Sequence, residues 1–220
     1  MMKFINEGCT FCEMTSAIVT SCPPFTCSRD KDIEEFFHAE FDSYKTQLLG
    51  KSYCFVEDAL PHRLVSAFTV ANSSIRVDNL PNKKRNKLNR KIPQSKRKSQ
   101  YPAVLVGQLA VFDDYSGHNI GDDVMDFIKS WFIDPLNKTG CRYIIVDAVN
   151  KPKVIEYYQN NGFQFLFSSA EEEMFYLRRS ASNKGLWNRI KTFFIKEESI
   201  NEFRKTRLMY FDLILLDPEK

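Results

Sequence analysis

Residues Ala103 to Val111 read Ala-Val-Leu-Val-Gly-Gln-Leu-Ala-Val, an almost unbroken apolar run. A half-exposed strand alternates polar with apolar residues, so this run is suited to a strand covered on both faces at the centre of an α/β sheet. Downstream, Asp122 to Ile133 places Val124, Phe127, Ile128, Trp131 and Phe132 on one helical face, and Arg142 to Val149 returns as a second buried strand. Strand, helix, strand predicts a parallel pair joined by a right-handed crossover. A further helix begins at Pro152, where its first turn tolerates proline, and runs to Asn161 with Gly162 as its stop. Phe163 to Phe167 and Arg207 to Leu216 read as closing strands.

Before the central run, Ile33, Phe36, Phe37, Phe41, Tyr44, Leu48 and Leu49 recur at three- and four-residue steps, which predicts an amphipathic helix or helix pair over 30–49. Ser52 to Val56 and Leu64 to Asn72 then read as an antiparallel strand pair. The order describes a mixed α/β sheet, and 220 residues suffice for one domain around one core. Two segments read as insertions. Residues 73–102 are polar, with prolines at Pro81, Pro93 and Pro102, and are expected outside the core. Residues 168–206 carry Glu171 to Glu173 and an amphipathic piece around Leu186, Trp187, Ile190, Phe193 and Phe194.

The net charge of +3 is unevenly spread, since nine Lys or Arg and no acid lie between Lys83 and Lys98. Such a run attracts polyanions by counterion release, or keeps a solvated loop soluble. No apolar stretch approaches the roughly 20 residues of a membrane span. With six scattered cysteines and no leader-like start, reduced thiols and a cytoplasmic location are expected. Cys9 and Cys12 form a CxxC with Cys22 and Cys27 further on; buried free thiols or a zinc site both accommodate it, although zinc motifs usually show two tight pairs.

After the central run comes Asp113-Asp114-Tyr115-Ser116-Gly117-His118-Asn119-Ile120-Gly121, a glycine-bearing loop that opens a helix. Backbone N–H groups and the helix dipole at such a place favour an anion. Beyond the second strand stands Tyr157-Tyr158-Gln159-Asn160-Asn161-Gly162-Phe163. On Ser116 to Gly121 and on the Tyr158 to Phe163 signature, the chain resembles the GNAT superfamily of N-acetyltransferases over roughly residues 25–216. Ser116 stands where that family usually has Arg or Gln, and Asn119 where it usually has Gly. Serine keeps a hydroxyl donor, and asparagine best tolerates a left-handed backbone.

The resemblance implies a mostly antiparallel central sheet with a splayed parallel strand pair and helices on both faces. It further implies acetyl-CoA as cosubstrate, with its pyrophosphate at Ser116, Gly117, His118, Asn119, Ile120 and Gly121, and its pantetheine arm along Leu109, Ala110 and Val111. A main-chain N–H near Leu109 or Val111 would face the oxyanion. Tyr158 would protonate the leaving thiolate, whose conjugate acid has a pKa near ~8.5; core packing is its alternative role. Asn150 either contacts the pantetheine arm or caps the next helix. Glu57, Asp58 and Glu171 to Glu173 are the carboxylates expected near the cleft.

The function so implied is acetyl transfer to a primary amine, small-molecule or protein, by a monomer or homodimer. Phe25-Thr26-Cys27, Asp32 to Phe37 and Tyr53 also resemble the branch of acetyltransferase toxins that modify aminoacyl-tRNA, where Lys83 to Lys98 would carry tRNA. A non-catalytic regulator binding CoA or RNA is the third reading.

Overall fold

The computed structural model describes residues 3–78, 80–137, 139–169, 172–173 and 205–216. The piece around Leu186 to Phe194, and Glu171, lie outside them. In chain order the elements are α1 (Lys3–Glu7), β1 (Cys9–Glu13), α2 (Ser16–Ser21), α3 (Lys31–Glu35), a π-helical turn (Phe36–Glu40), α4 (Phe41–Thr46), β2 (Lys51–Glu57) and β3 (Leu64–Arg76). Then follow α5 (Asn82–Asn89), β4 (Gln100–Val111), α6 (Ile120–Ile133), β5 (Tyr143–Val149), α7 (Pro152–Asn160), β6 (Gln164–Phe165) and β7 (Thr206–Asp212). The described strands form one sheet of order β1-β2-β3-β4-β5-β7-β6, mostly antiparallel with one parallel pair, β4 and β5.

The chain divides into two compact units, Met1–Asn72 with Val104–Gly140, and Ser73–Ala103 with Cys141–Lys220. In the first, β1 pairs with β2 and β2 with β3, both antiparallel. Side chains alternate across these strands, so the register sorts them onto two faces. One face presents Cys54 and Ala67 to Phe25, Phe36, Phe37, Phe41 and Phe112, a buried cluster supplied largely by α2 through α4 and the segment between. The other presents Phe11, Phe55 and Tyr53 to α6, with Phe11 4.6 Å from Phe127 and Tyr53 4.8 Å from Trp131 between ring centroids. Helices therefore cover both faces of this unit.

In the second unit, β5 pairs antiparallel with β7 along its length, and β6 pairs with β7. The segment expected outside the core in fact supplies part of it. Strand β3 continues to Arg76, α5 follows, and Ile75, Val77, Leu80, Leu88 and Tyr101 are all buried. The charge of 83–98 masks these widely spaced apolar residues, which anchor the segment while its cations face solvent. Lys84 is tethered by its Nζ to the Phe165 carbonyl at 3.0 Å, and burial, then the neighbouring Lys87, hold its pKa below the ordinary value.

Two further differences from the sequence expectation are local. The CxxC lies on β1, a strand that its cysteines concealed, with Cys12 directly opposite Cys54 and the two Sγ atoms 3.8 Å apart. The last stretch is strand only to Asp212, where the chain turns into a 3-10 helix over Leu213–Leu216.

Candidate functional site

Past Val111 the chain makes a 3-10 turn at Asp113–Tyr115, and the Ser116 N–H closes it on the Asp113 carbonyl at 3.1 Å. Gly117 (φ 87°) and Asn119 (φ 59°) then adopt left-handed backbone, available to the first because it lacks a Cβ and to the second as the least disfavoured alternative. Asn119 stands at the cap position of α6 and makes no side-chain cap bond. Its carbonyl receives the N–H groups of Asp122 and Asp123 at 3.1 and 3.2 Å. Among the described residues, the main-chain N–H groups of Gly117, His118, Asn119 and Ile120 have no acceptor. Four donors in sequence at the positive end of a 14-residue helix suit an anionic group.

The acids that lead into this loop are engaged elsewhere. The Asp113 carboxylate accepts from the Thr26 hydroxyl at 2.7 Å and from the Ser28 N–H at 3.0 Å. Hydrogen bonds from Ser28, then Thr26, hold its carboxyl below the ordinary pKa. Asp114 pairs with Arg63 at 2.8 Å. Tyr115 donates to Glu57 Oε2 at 2.6 Å, which braces the turn against the end of β2. Phe112, one residue before the turn, is buried with its ring centroid 4.3 Å from that of Phe25, so the loop starts from a fixed point.

On β4 the described burial is uneven. Val104 and Val106 are buried, yet Gly107 is exposed and Gln108, Leu109 and Val111 are only half-buried, with Ala110 enclosed between them. The expected cover on both faces therefore holds for the first half of the strand and relaxes in the second. Gln108 is fastened to β3, its N–H reaching Thr69 Oγ1 at 3.0 Å and its Oε1 accepting from the same hydroxyl at 2.7 Å.

In the second unit, Tyr158 is buried on α7. Its ring meets Tyr157 at 5.1 Å and Phe163 at 5.4 Å. Its hydroxyl makes no hydrogen bond to any described residue. Burial pushes its pKa up to about 12. A phenol in this state is fully protonated at neutral pH and is a donor without an acceptor among the described residues. Gly162 (φ 80°) ends the helix, and a Cβ there would meet the Phe211 ring at 3.0 Å.

Asn150 does not occupy the cap position, which falls to Lys151 with no side-chain cap bond; the Asn150 N–H is held by the Lys205 carbonyl at 2.7 Å. The carboxylates expected as bases are engaged as structural acceptors: Glu57 by Tyr115, Asp58 by the Thr10 hydroxyl at 2.7 Å, Glu172 by the Ser168 N–H at 2.9 Å, and Glu173 by Arg207 at 3.0 Å. His118 is an exposed loop residue, whereas His38 contacts the Phe25 carbonyl at 3.1 Å and stacks on its ring. A carboxylate that sequence reasoning passed over, Asp147 on β5, has no such partner among the described residues. Its position inside an apolar strand was the available signal.

All six cysteines are free, and among the described residues no three potential metal ligands converge. Burial pushes the Cys9 thiol up to about 12 and Cys141 up to about 11, which keeps both neutral. No helix among the described residues is long and apolar enough to cross a membrane. A cleft of about 990 Å³ lies at the far end of α6 from the loop, with Trp131, Phe132, Tyr53 and Val70 in its lining.

No family model matches the sequence, and no curated protein matches it. Solved structures do resemble the fold. A tyrosine-to-phenylalanine mutant of KacT matches with a TM-score of 0.60 at 16% identity, covering 97% of this chain and 100% of that one. AtaTR bound with AcCoA matches at 0.57 and 14%, covering 96% and 97%. AtaT complexed with acetyl-methionyl-tRNAfMet matches at 0.55 and 17%, covering 73% and 89%. The chain has the GNAT fold of these proteins.

Proposed function

We propose that this protein is an acetyl-CoA-dependent N-acetyltransferase that passes the acetyl group to a primary amine by direct attack on the thioester. The observation that carries the reading is the run of four main-chain N–H groups, Gly117 to Ile120, that have no acceptor among the described residues, at a helix N-terminus without a side-chain cap bond. Such a run matches the several oxygens of a pyrophosphate. The solved structure of AtaTR bound with AcCoA, on a similar fold, supports the same ligand. Ser116 contributes its hydroxyl rather than its N–H, which the 3-10 turn already uses. The half-exposed stretch around Leu109 and Val111 is the proposed seat of the pantetheine arm and of the oxyanion donor. Tyr158 is the proposed acid for the thiolate.

Calorimetry with acetyl-CoA tests the loop. Gly121→Glu places a carboxylate in the first turn of α6, beside the proposed phosphates. It is expected to weaken binding at least about tenfold, the effect of roughly 1.4 kcal/mol of repulsion in a partly desolvated site. Equal heats for the two proteins, with unchanged circular dichroism, would remove the loop from cofactor binding.

A second reading is aminoacyl-tRNA as the amine, favoured by the likeness to AtaT complexed with acetyl-methionyl-tRNAfMet and by the exposed cations Lys83, Arg90, Lys91 and Lys98. If these meet phosphates, log affinity for tRNA falls linearly with log salt, each contact adding roughly 0.7–0.9 to the slope. Changing all four to Gln is expected to reduce the slope by about 3. Lys84 is left in place because its amine is already bound to the Phe165 carbonyl. Salt-independent or absent tRNA binding by the wild type would leave a small-molecule or protein amine as the acceptor.

A further inference from the structure

The sheet face that packs against the cluster of Phe25, Phe36 and Phe37 carries Cys54, Ala67, Ala110 and Phe112. Side chains two positions apart on a strand share a face, which places Ser52 with Cys54, Thr69 with Ala67 and Gln108 with Ala110. Ser52 stands directly opposite Thr69. The apolar face therefore gives way to three polar residues on three strands. They and the loop from Ser116 to Gly121 all belong to the first compact unit. Polar groups in such a place cost stability unless they are paired, so each bond they make or lack is informative.

Thr69 is buried, and its hydroxyl is spent on β4. Its Oγ1 accepts the Gln108 N–H at 3.0 Å and donates to Gln108 Oε1 at 2.7 Å. A hydroxyl has one proton, and the opposite orientation of the amide would leave that proton without an acceptor among the described residues. The carboxamide oxygen therefore turns inward. Ser52 does not compete, because its Oγ is buried and bonds to no described residue. Gly107 completes the fit, since a Cβ there would stand 2.7 Å from Thr69 Oγ1. What remains is the Gln108 Nε2 amide, with two N–H donors and no acceptor among the described residues. Gln108 is half-buried and Gly107 exposed, so these donors lie where the cover of β4 relaxes. A residue held at both its backbone and its side-chain oxygen is ordered before any ligand arrives, and a donor so fixed needs no reorganisation during a reaction.

We propose that the Gln108 carboxamide, aimed by Thr69, is a side-chain donor to the thioester carbonyl oxygen. The assignment rests on the acetyltransferase reading above. Gln108 lies four residues before Phe112, where the strand gives way to the loop, a separation of about 13 Å at the rise of a strand. An extended pantetheine arm has a comparable reach, so pyrophosphate at the loop is compatible with a thioester beside this amide. As the amine nitrogen bonds to the carbonyl carbon, the C=O electron pair moves onto the oxygen held by Gln108. When the pair returns, the C–S bond breaks with its electrons on sulfur. The amine loses one proton and the sulfur gains one, giving an amide and a thiol, and Gln108 exchanges none. Thr69 is a positioning residue, acting only through the direction it gives the amide.

The test measures acetyl-CoA turnover with glycinamide, spermidine, a lysine-containing peptide and aminoacylated tRNA, and carries forward the acceptor that the wild type uses best. Gln108→Leu keeps much of the side-chain bulk and removes both donors. It is expected to lower kcat by about 10²–10³-fold, as loss of one oxyanion donor does, while calorimetric affinity for acetyl-CoA stays within about twofold. Infrared spectra of bound acetyl-CoA, labelled with carbon-13 at the carbonyl, should show a lower C=O stretching frequency in the wild type than in Gln108→Leu, because a donated hydrogen bond weakens that bond. Thr69→Val should lower kcat and raise the same frequency, and Thr69→Ser, which retains the hydroxyl, should restore both. A kcat for Gln108→Leu within about threefold of wild type overturns the assignment of Gln108 alone. So does a loss of rate with an unchanged carbonyl frequency, which would mark a structural role. A wild type that turns over none of the four acceptors overturns the acetyltransferase reading, and this assignment with it.

Discussion

Replacing Tyr158 with phenylalanine is expected to lower kcat by ~10²–10⁴-fold while acetyl-CoA affinity stays within about twofold. The substitution removes one hydroxyl from a buried ring that keeps its packing against Tyr157 and Phe163. No described residue loses a hydrogen bond, so the fold has no reason to respond. Only the leaving thiolate, formed during the reaction, would miss the donor. The phenol pKa of about 12 fixes the pH dependence. The acid stays protonated through pH 10, so the rate should not fall on the alkaline side before then on its account. An alkaline loss centred near pH 8 that persists in Tyr158→Phe would belong to another group. A kcat reduced less than about threefold would return Tyr158 to core packing.

Truncating Phe37 to alanine is expected to cost about 3–5 kcal/mol of stability, the range for a buried aromatic replaced by a methyl group. Phe37 is fully buried at the π-helical turn, 5.2 Å from Phe36 and 6.3 Å from Phe112 between ring centroids. Its neighbours belong to separate helices and strands, so the space it leaves cannot close by a local shift. Domains of this size are stable by about 5–15 kcal/mol, so one side chain would remove a large share of the total. Urea unfolding should show a lower midpoint with an unchanged slope. The consequence extends to function, because Phe112 immediately precedes the turn that sets the Ser116 to Gly121 loop. Acetyl-CoA affinity should therefore weaken in Phe37→Ala before the protein unfolds. A stability loss under about 1 kcal/mol would show that the cluster repacks freely.

Much of the architecture was legible because it repeats at short range. The apolar steps over 30–49, the helix after Ile120, the strand of Tyr143 to Val149 and the helix from Pro152 each carry their own period, and each stands within a few residues of its expected place. Strand β1 was not legible, because five residues with two cysteines offer too short an alternation to separate from a thiol motif. Residues 73–102 were misjudged for the converse reason. Their ten cations hide Ile75, Val77, Leu80 and Leu88, whose spacing has no single period.

The candidate site divides along the same line. From the amino acids alone came the glycine-bearing loop, the tolerance of Asn119 for a left-handed backbone and the prominence of Tyr158, since each depends on residue type and local spacing. Only the tertiary structure decided which polar groups are already satisfied. Asp113 is held by Thr26 and Ser28 from 85 to 87 residues away, Glu57 by Tyr115 from 58, and Glu173 by Arg207 from 34. The same long-range pairing leaves Asp147 and the Tyr158 hydroxyl without partners among the described residues. A hydrogen bond depends on distance and angle in space and carries no trace in the order of the chain, so the sequence did not show which carboxylates are already held.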